Sequence, residues 1–204
     1  MRFARCLSFA LLAGLSVVSA KEPPNAAEPP KAVEAAKAST ARGLVRMPAQ
    51  ARVGDTLLAD AKIEFSCTTG KGGALQVAAI LPAPESVAGF PLDAFEGPDG
   101  IGETKVLAKW SMLGPNAMDV ASPISGWRGV DGDGFLLASS RRSNKESDLA
   151  RLLRRWINDG GQQLWLTVDS PQGGAKLEVR AMPEGYRTRL GVALSQCFAV
   201  VHHR

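Results

Sequence analysis

Residues 64–77, EFSCTTGKGGALQV, decide the fold because two strand patterns flank a glycine-rich turn there. On the amino-terminal side, Ile63, Phe65 and Cys67 alternate with polar residues, which is the period-two pattern of a half-buried strand. On the other side, residues 75–81 are apolar at all but one position. The glycines between the two runs tolerate positive φ. This segment therefore predicts an antiparallel hairpin whose second strand is more deeply buried.

Other short runs along the chain have the same character. They are apolar or alternating, are separated by glycine and proline, and predict strands at 44–47, 56–58, 105–112, 126–130, 135–138, 164–168 and 177–181. Strands that come in hairpins argue against a parallel α/β fold, in which helices would connect successive strands. The pattern favours a mainly β fold, either a β-sandwich or a half-open antiparallel barrel.

Two helices are predicted within this β framework. Ser143 and Glu146 fit a capping box at the start of an amphipathic helix, and Gly160 and Gly161 end it. Its apolar stripe consists of Leu149, Leu152, Leu153, Trp156 and Ile157. Its opposite side, which we interpret as a solvated face, carries Arg151, Arg154 and Arg155. A short C-terminal helix is predicted within 186–201.

The amino terminus has the features of a secretory signal peptide. Arg2 and Arg5 precede an apolar run, and small residues mark a cleavage position near Ala20. The following residues are rich in Pro, Ala, Glu and Lys, a composition typical of a disordered tether. The predicted division is a signal peptide at 1–20, a tether at 21–42, a single β-rich domain at 43–201 and a tail at 202–204. The signal-peptide pattern predicts export, and the apolar run is shorter than the roughly 20 residues of a membrane span, so we expect a periplasmic or secreted protein.

Cysteine usage predicts one disulfide bond. Once a signal peptide containing Cys6 is removed, Cys67 and Cys197 are the remaining thiols. In an oxidising compartment such a pair favours a structural disulfide, and neither cysteine has the Cys-X-X-Cys spacing of a reactive thiol. We therefore expect the last element of the chain to be tied to the first hairpin.

Several chemistries find no support in the sequence. His202 and His203 are the only histidines and lie at the chain end, which argues against a histidine-based triad or zinc site. Residues 131–134, DGDG, resemble the start of a calcium loop, but Phe135 and Arg142 stand where oxygen donors are needed. We expect no catalytic residue, metal or cofactor. Loss of Arg2 and Arg5 lowers the formal charge from +4 to +2, so nucleic acid is not an expected partner.

A long loop after the first hairpin is the predicted binding site. Long loops on a rigid β scaffold often carry functional residues, and this one combines aromatic residues with four acids. Such a combination suits a basic or hydrogen-bonding cleft on another protein. The predicted binding residues are Phe90, Asp93, Phe95, Glu96, Asp99 and Glu103.

Three functions are compatible with these features. We expect a non-enzymatic binding protein that occupies another envelope protein, as an inhibitor or immunity protein directed at a hydrolase or toxin. An accessory or structural protein of an envelope or secretion assembly is the alternative, and a hydrolase built on carboxylates is the third.

The tryptophans that we interpret as core residues rather than sugar-stacking platforms are Trp127, Trp156 and Trp165.

Overall fold

The computed structural model describes residues 42–70, 73–82, 87, 89–129, 134–142 and 146–198. The predictions made for residues 1–20, for 21–41 and for the tail at 202–204 lie outside these ranges, as do most of the DGDG motif and the Ser143 cap. None of the helices that the structure describes is long and apolar enough to cross a bilayer.

Eleven β-strands are present in the described part of the chain. In chain order they are β1 (Arg42–Pro48), β2 (Gln50–Val53), β3 (Thr56–Leu58), β4 (Lys62–Thr68), β5 (Ala74–Leu81), β6 (Ala108–Leu113), β7 (Met118–Ser122), β8 (Ser125–Arg128), β9 (Phe135–Arg142), β10 (Gln163–Val168) and β11 (Leu177–Ala181). The helices are a 3-10 turn (Leu92–Phe95), α1 (Ile101–Lys105), α2 (Asp148–Asn158) and α3 (Arg187–Phe198).

The strands form two antiparallel sheets, which confirms the predicted β-rich class. The first sheet has the order β1-β4-β5-β9-β8, and the second has the order β3-β2-β11-β10-β6-β7. The predicted hairpin is β4 and β5, in which Phe65 lies opposite Val77. The chain passes from the first sheet to the second between β1 and β2, so consecutive strands there belong to different sheets.

Buried residues of both sheets and of α2 and α3 contribute to a common core. All five residues of the predicted stripe on α2 are buried, and the ring of Trp156 stacks on Phe65 with centroids 5.6 Å apart. The helix α2 begins at Asp148, later than predicted, and Ser147 caps it by accepting a hydrogen bond from the amide of Ala150 at 3.2 Å.

Helix α3 packs against β1, β4 and α2, and a disulfide attaches it to the first hairpin. Cys67 of β4 and Cys197 of α3 are bonded, with Cα atoms 5.9 Å apart. The approach of α3 to β1 requires a glycine, since a Cβ atom on Gly43 would overlap the carbonyl of Ala193. The expected tie between the last element and the first hairpin is therefore present.

Several local predictions need correction. Strand β4 is not half-buried, because Glu64 and Ser66 on its polar side are only 7% and 8% exposed. The strand predicted from residue 105 begins at Ala108, since α1 ends at Lys105 and Val106 is left-handed with φ 51°. The short strands β2 and β7 were not predicted, and the predicted loop contains two helical turns.

Candidate functional site

The acidic segment, residues 89–106, is held against the body by its phenylalanines. Phe90 and Phe95 are 5% and 0% exposed, and their rings stack with centroids 5.6 Å apart. Both residues belong to the predicted binding loop, and their burial shows that the rings pack on the core of this protein. They anchor the segment instead, which is the role that apolar side chains take when a loop lies across a core.

Glycines allow the segment to lie close to Phe95 and to β8. A Cβ atom on Gly102 would overlap the Phe95 ring, and one on Gly126 would lie 3.2 Å from the Cβ of Phe95. The amide of Gly97 donates to the carbonyl of Gly126 at 2.9 Å, and Glu96 forms an isolated bridge with the same residue. The backbone of the acidic segment is thus bonded to a sheet strand as well as packed on the core.

The carboxylates of the segment face solvent. Asp93, Glu96 and Asp99 are exposed, and Glu103 is partly exposed. Asp93 accepts a hydrogen bond from Nη2 of Arg128 at 2.6 Å, within an ion pair whose side chains are 78% and 51% exposed. One of the four predicted acids is therefore paired within the protein, whereas the described residues show no ion pair for the other three.

Apolar side chains accompany these acids on the surface. Ile101 in α1 is 38% exposed and Val106 just after it is 44% exposed. They supply exposed apolar area next to the acids, whereas the sequence analysis had named Phe90 and Phe95 as the apolar residues of this binding loop. The segment combines carboxylates and apolar side chains in the manner of a protein interface, in which apolar contacts carry energy and charges set specificity.

Metal binding is not indicated by the geometry. In the described ranges, no group of three or more His, Cys, Asp and Glu side chains is placed to hold a metal ion.

The arginines of α2 do not form one uniform solvated face. Arg151 and Arg155 are exposed, and Arg151 pairs with Asp148 at 3.2 Å. Arg154 is partly buried, and its Nη2 donates to the carbonyl of Phe198 at 2.9 Å. Because that carbonyl lies at the end of α3, Arg154 stabilises the C-terminus of the neighbouring helix.

Trp165 and Arg180 form a cluster on the second sheet that the sequence analysis did not predict. Trp165 of β10 is half-buried on the outward face, not in the core, and the guanidinium of Arg180 lies 3.7 Å from its ring centroid. The alternation of Leu164, Trp165 and Leu166 already places the indole on the opposite face from the two leucines. The pairing with Arg180 depends on the register of β10 and β11, which the alternation does not specify.

No protein-family model matches this chain, and no curated protein or solved structure matches it either.

Proposed function

We propose that this protein is a non-enzymatic binding protein that contacts another protein of the cell envelope through the acidic segment. The observation that carries the proposal is that some residues of the segment 89–106 anchor it to the core while others face solvent. Phe90 and Phe95 lock the segment onto the core, while Glu96, Asp99 and Glu103 project from it. A surface that is already ordered loses little conformational entropy on binding, which favours affinity.

The chemistry of the segment suits a partner with a basic rim around an apolar depression. Ile101 and Val106 supply the apolar contacts, and the carboxylates supply complementary charge. An envelope location is supported by the signal-peptide pattern of residues 1–20 and by the disulfide. An inhibitor or immunity protein that occupies a hydrolase or toxin fits these features, because such a role needs a rigid surface and no catalytic group.

The test compares two triple variants in cross-linked pull-downs from envelope extracts. Glu96→Gln/Asp99→Asn/Glu103→Gln removes the charges of the acidic segment, and Asp55→Asn/Glu146→Gln/Glu184→Gln removes the same charge elsewhere on the surface. We expect a partner that the wild type and the second variant recover and that the first variant loses at least about tenfold. Recovery should fall as salt is raised toward about 1 M, where the Debye length is roughly 3 Å.

Equal recovery by both triple variants would refute the proposed surface. Inhibition of a recovered hydrolase or toxin by wild-type protein would support the inhibitor or immunity role. Recovery without inhibition would instead support the accessory or structural role.

An accessory role has one specific observation in its favour. Leu57, in β3 at the edge of the second sheet, is 72% exposed, and an exposed edge strand can pair with another chain. The variant Leu57→Lys is expected to abolish partner recovery in that case while leaving the acidic segment intact. The carboxylate hydrolase is tested by a hydrolase assay on the purified protein, which we expect to give no turnover.

A further inference from the structure

A pocket of about 330 Å³ lies beside the junction of β1 and β2, next to the outward-facing residues of β10 and β11. This volume falls at the lower end of the range for small-ligand sites. The residues that line it include Met47, Pro48, Gln163, Arg180, Met182 and Tyr186. A second depression of about 350 Å³ adjoins it and shares Gln163 and Met182.

Arg180 supplies a positive charge to this pocket. Its guanidinium lies over Trp165, 3.7 Å from the ring centroid, a contact that orients the group. Its Nη2 donates to Glu178 at 3.1 Å, but Arg52 also pairs with that carboxylate at 2.7 Å. Two arginines therefore share one glutamate, and the group of three retains a net charge of +1.

Gln163 adds hydrogen-bond donors. The indole Nε1 of Trp165 donates to its Oε1 at 2.7 Å. Because an indole N–H can only donate, the amide oxygen of Gln163 must face Trp165, which leaves its NH₂ group for other partners. The hydroxyl of Tyr186 is a further polar group of the lining.

The remaining walls are apolar. Met47 and Pro48 come from the end of β1, and Met182, which is 57% exposed, directly follows β11. Methionine side chains adapt to apolar groups of different shapes. A cation and amide donors beside an apolar wall are the features that recognise an amphiphilic anion.

We propose that this pocket binds a carboxylate attached to a short apolar group, such as the C-terminal residue of a peptide or a small free acid. The carboxylate pairs with Arg180 and with the amide NH₂ of Gln163, and the apolar group contacts Met182 and Pro48. Arginine is suited to this task because its planar guanidinium matches a carboxylate. The proposal does not depend on the acidic segment, which is formed by other elements.

The test is a titration followed by ¹H–¹⁵N NMR of the full chain. The probes are N-acetyl-leucyl-leucine, its C-terminal amide, and octanoate. We expect at least one of the two acids to shift the indole N–H of Trp165 and to bind at least about tenfold more tightly than the amide. Tighter binding of the peptide acid points to a peptide C-terminus, and tighter binding of octanoate points to a free acid.

Three variants localise the binding. Gln163→Glu keeps an acceptor for the Trp165 indole but places a negative charge in the pocket, and we expect it to weaken acid binding at least about tenfold. Arg180→Gln should do the same. Lys109→Gln removes a positive charge from the same sheet outside the pocket lining and should leave the affinity within about twofold.

Absence of shifts with both acids, or equal binding of acid and amide, would overturn the proposal. Equal weakening by Lys109→Gln and Gln163→Glu would also overturn it, because the attraction would then be non-specific. If Arg180→Gln unfolds, Gln163→Glu alone decides the result. Loss of this binding would leave the proposed role of the acidic segment untouched.

Discussion

Trp110 and Ser139 connect the two sheets through a hydrogen bond inside the core. Nε1 of Trp110 in β6 donates to Oγ of Ser139 in β9 at 2.9 Å, and both residues are fully buried. The same hydroxyl donates to the carbonyl of Pro123 at 3.0 Å. One small side chain thus bonds two polar groups, and for the fully buried Trp110 indole it supplies the partner that buried polar groups generally require.

The variant Ser139→Ala is expected to destabilise the protein by about 1–3 kcal/mol, because it leaves the Trp110 indole N–H and the Pro123 carbonyl without these bonds. Urea unfolding followed by circular dichroism measures the change. Ser140→Ala is the matched control, since Ser140 is exposed on the same strand and its removal should change stability little. Equal midpoints for the two variants would show that the hydrogen bond contributes nothing.

Glu178 has a pKa that is set by opposing effects. Partial burial favours its neutral form, but hydrogen bonds from Arg52 and Arg180 together with their charges outweigh this and hold the pKa of Glu178 below its ordinary value of 4.5. A carboxyl whose folded-state pKa is depressed stabilises the fold above its unfolded-state pKa. That contribution disappears as the pH falls through the folded-state pKa.

Glu178→Gln is therefore expected to lower stability at pH 7 by about 1 kcal/mol, a typical value for a partly exposed ion pair. The difference from wild type should shrink as the pH is lowered below 4.5. Thermal unfolding at several pH values measures it. Glu184→Gln serves as the control for loss of an exposed carboxylate. A difference that stays constant from pH 7 to pH 3 would contradict the assigned ion pairs.

At the scale of elements, two glycines at α3, one facing it from β1 and one within it, have different environments. A Cβ atom on Gly43 would overlap the backbone of α3, whereas one on Gly191 would meet only Ile157 at 3.9 Å. The first position needs a close approach of two backbones, and the second does not. Within a helix, glycine is less favourable than alanine because it loses more conformational freedom on folding.

Gly191→Ala should stabilise the protein by about 0.5–1 kcal/mol. Gly43→Ala, the matched comparison, should destabilise it strongly because α3 must shift. Melting temperatures of the two variants give the result. Destabilisation by Gly191→Ala would mean that α3 is packed more tightly there than its contacts indicate.

Secondary-structure elements could be predicted where the apolar pattern extended over several repeats or where a glycine-rich turn separated two strands. The hairpin of β4 and β5 and the apolar stripe of α2 follow from spacing alone, since period two and period 3.6 each select one face. The strands β2 and β7 and the helix α1 were missed; each has five residues or fewer, a length at which periodicity is a weak guide. The start of α2 was misplaced because Ser143 and Ser147 are both capable caps.

At the scale of the whole molecule, the disulfide is the covalent link between distant parts of the chain. It joins residues separated by 130 positions and attaches α3 to β4. Cross-linking a loop of this length removes entropy from the unfolded chain, by about 4–5 kcal/mol in the chain-entropy model. Much of the protein's stability is expected to depend on it, because domains of this size have roughly 5–15 kcal/mol in total.

The variant Cys67→Ala/Cys197→Ala should therefore lose about 4 kcal/mol of stability. Urea unfolding of the wild type with and without reducing agent, beside the variant, measures the effect. Reducing agent should lower the wild-type midpoint toward that of the variant and leave the variant unchanged. A wild-type midpoint insensitive to full reduction would contradict a stabilising disulfide.

The sequence by itself determined the β-rich class, the first hairpin, the buried face of α2 and the choice of Cys67 and Cys197 as partners. These follow from local periodicity and from a count of thiols. Only the tertiary structure decided which sheet each strand joins, that Phe90 and Phe95 anchor the acidic segment, and that Arg180 lies on Trp165. Periodicity indicates which face of an element a side chain occupies. The residues that this side chain contacts depend on strand register and on packing between residues far apart in the chain.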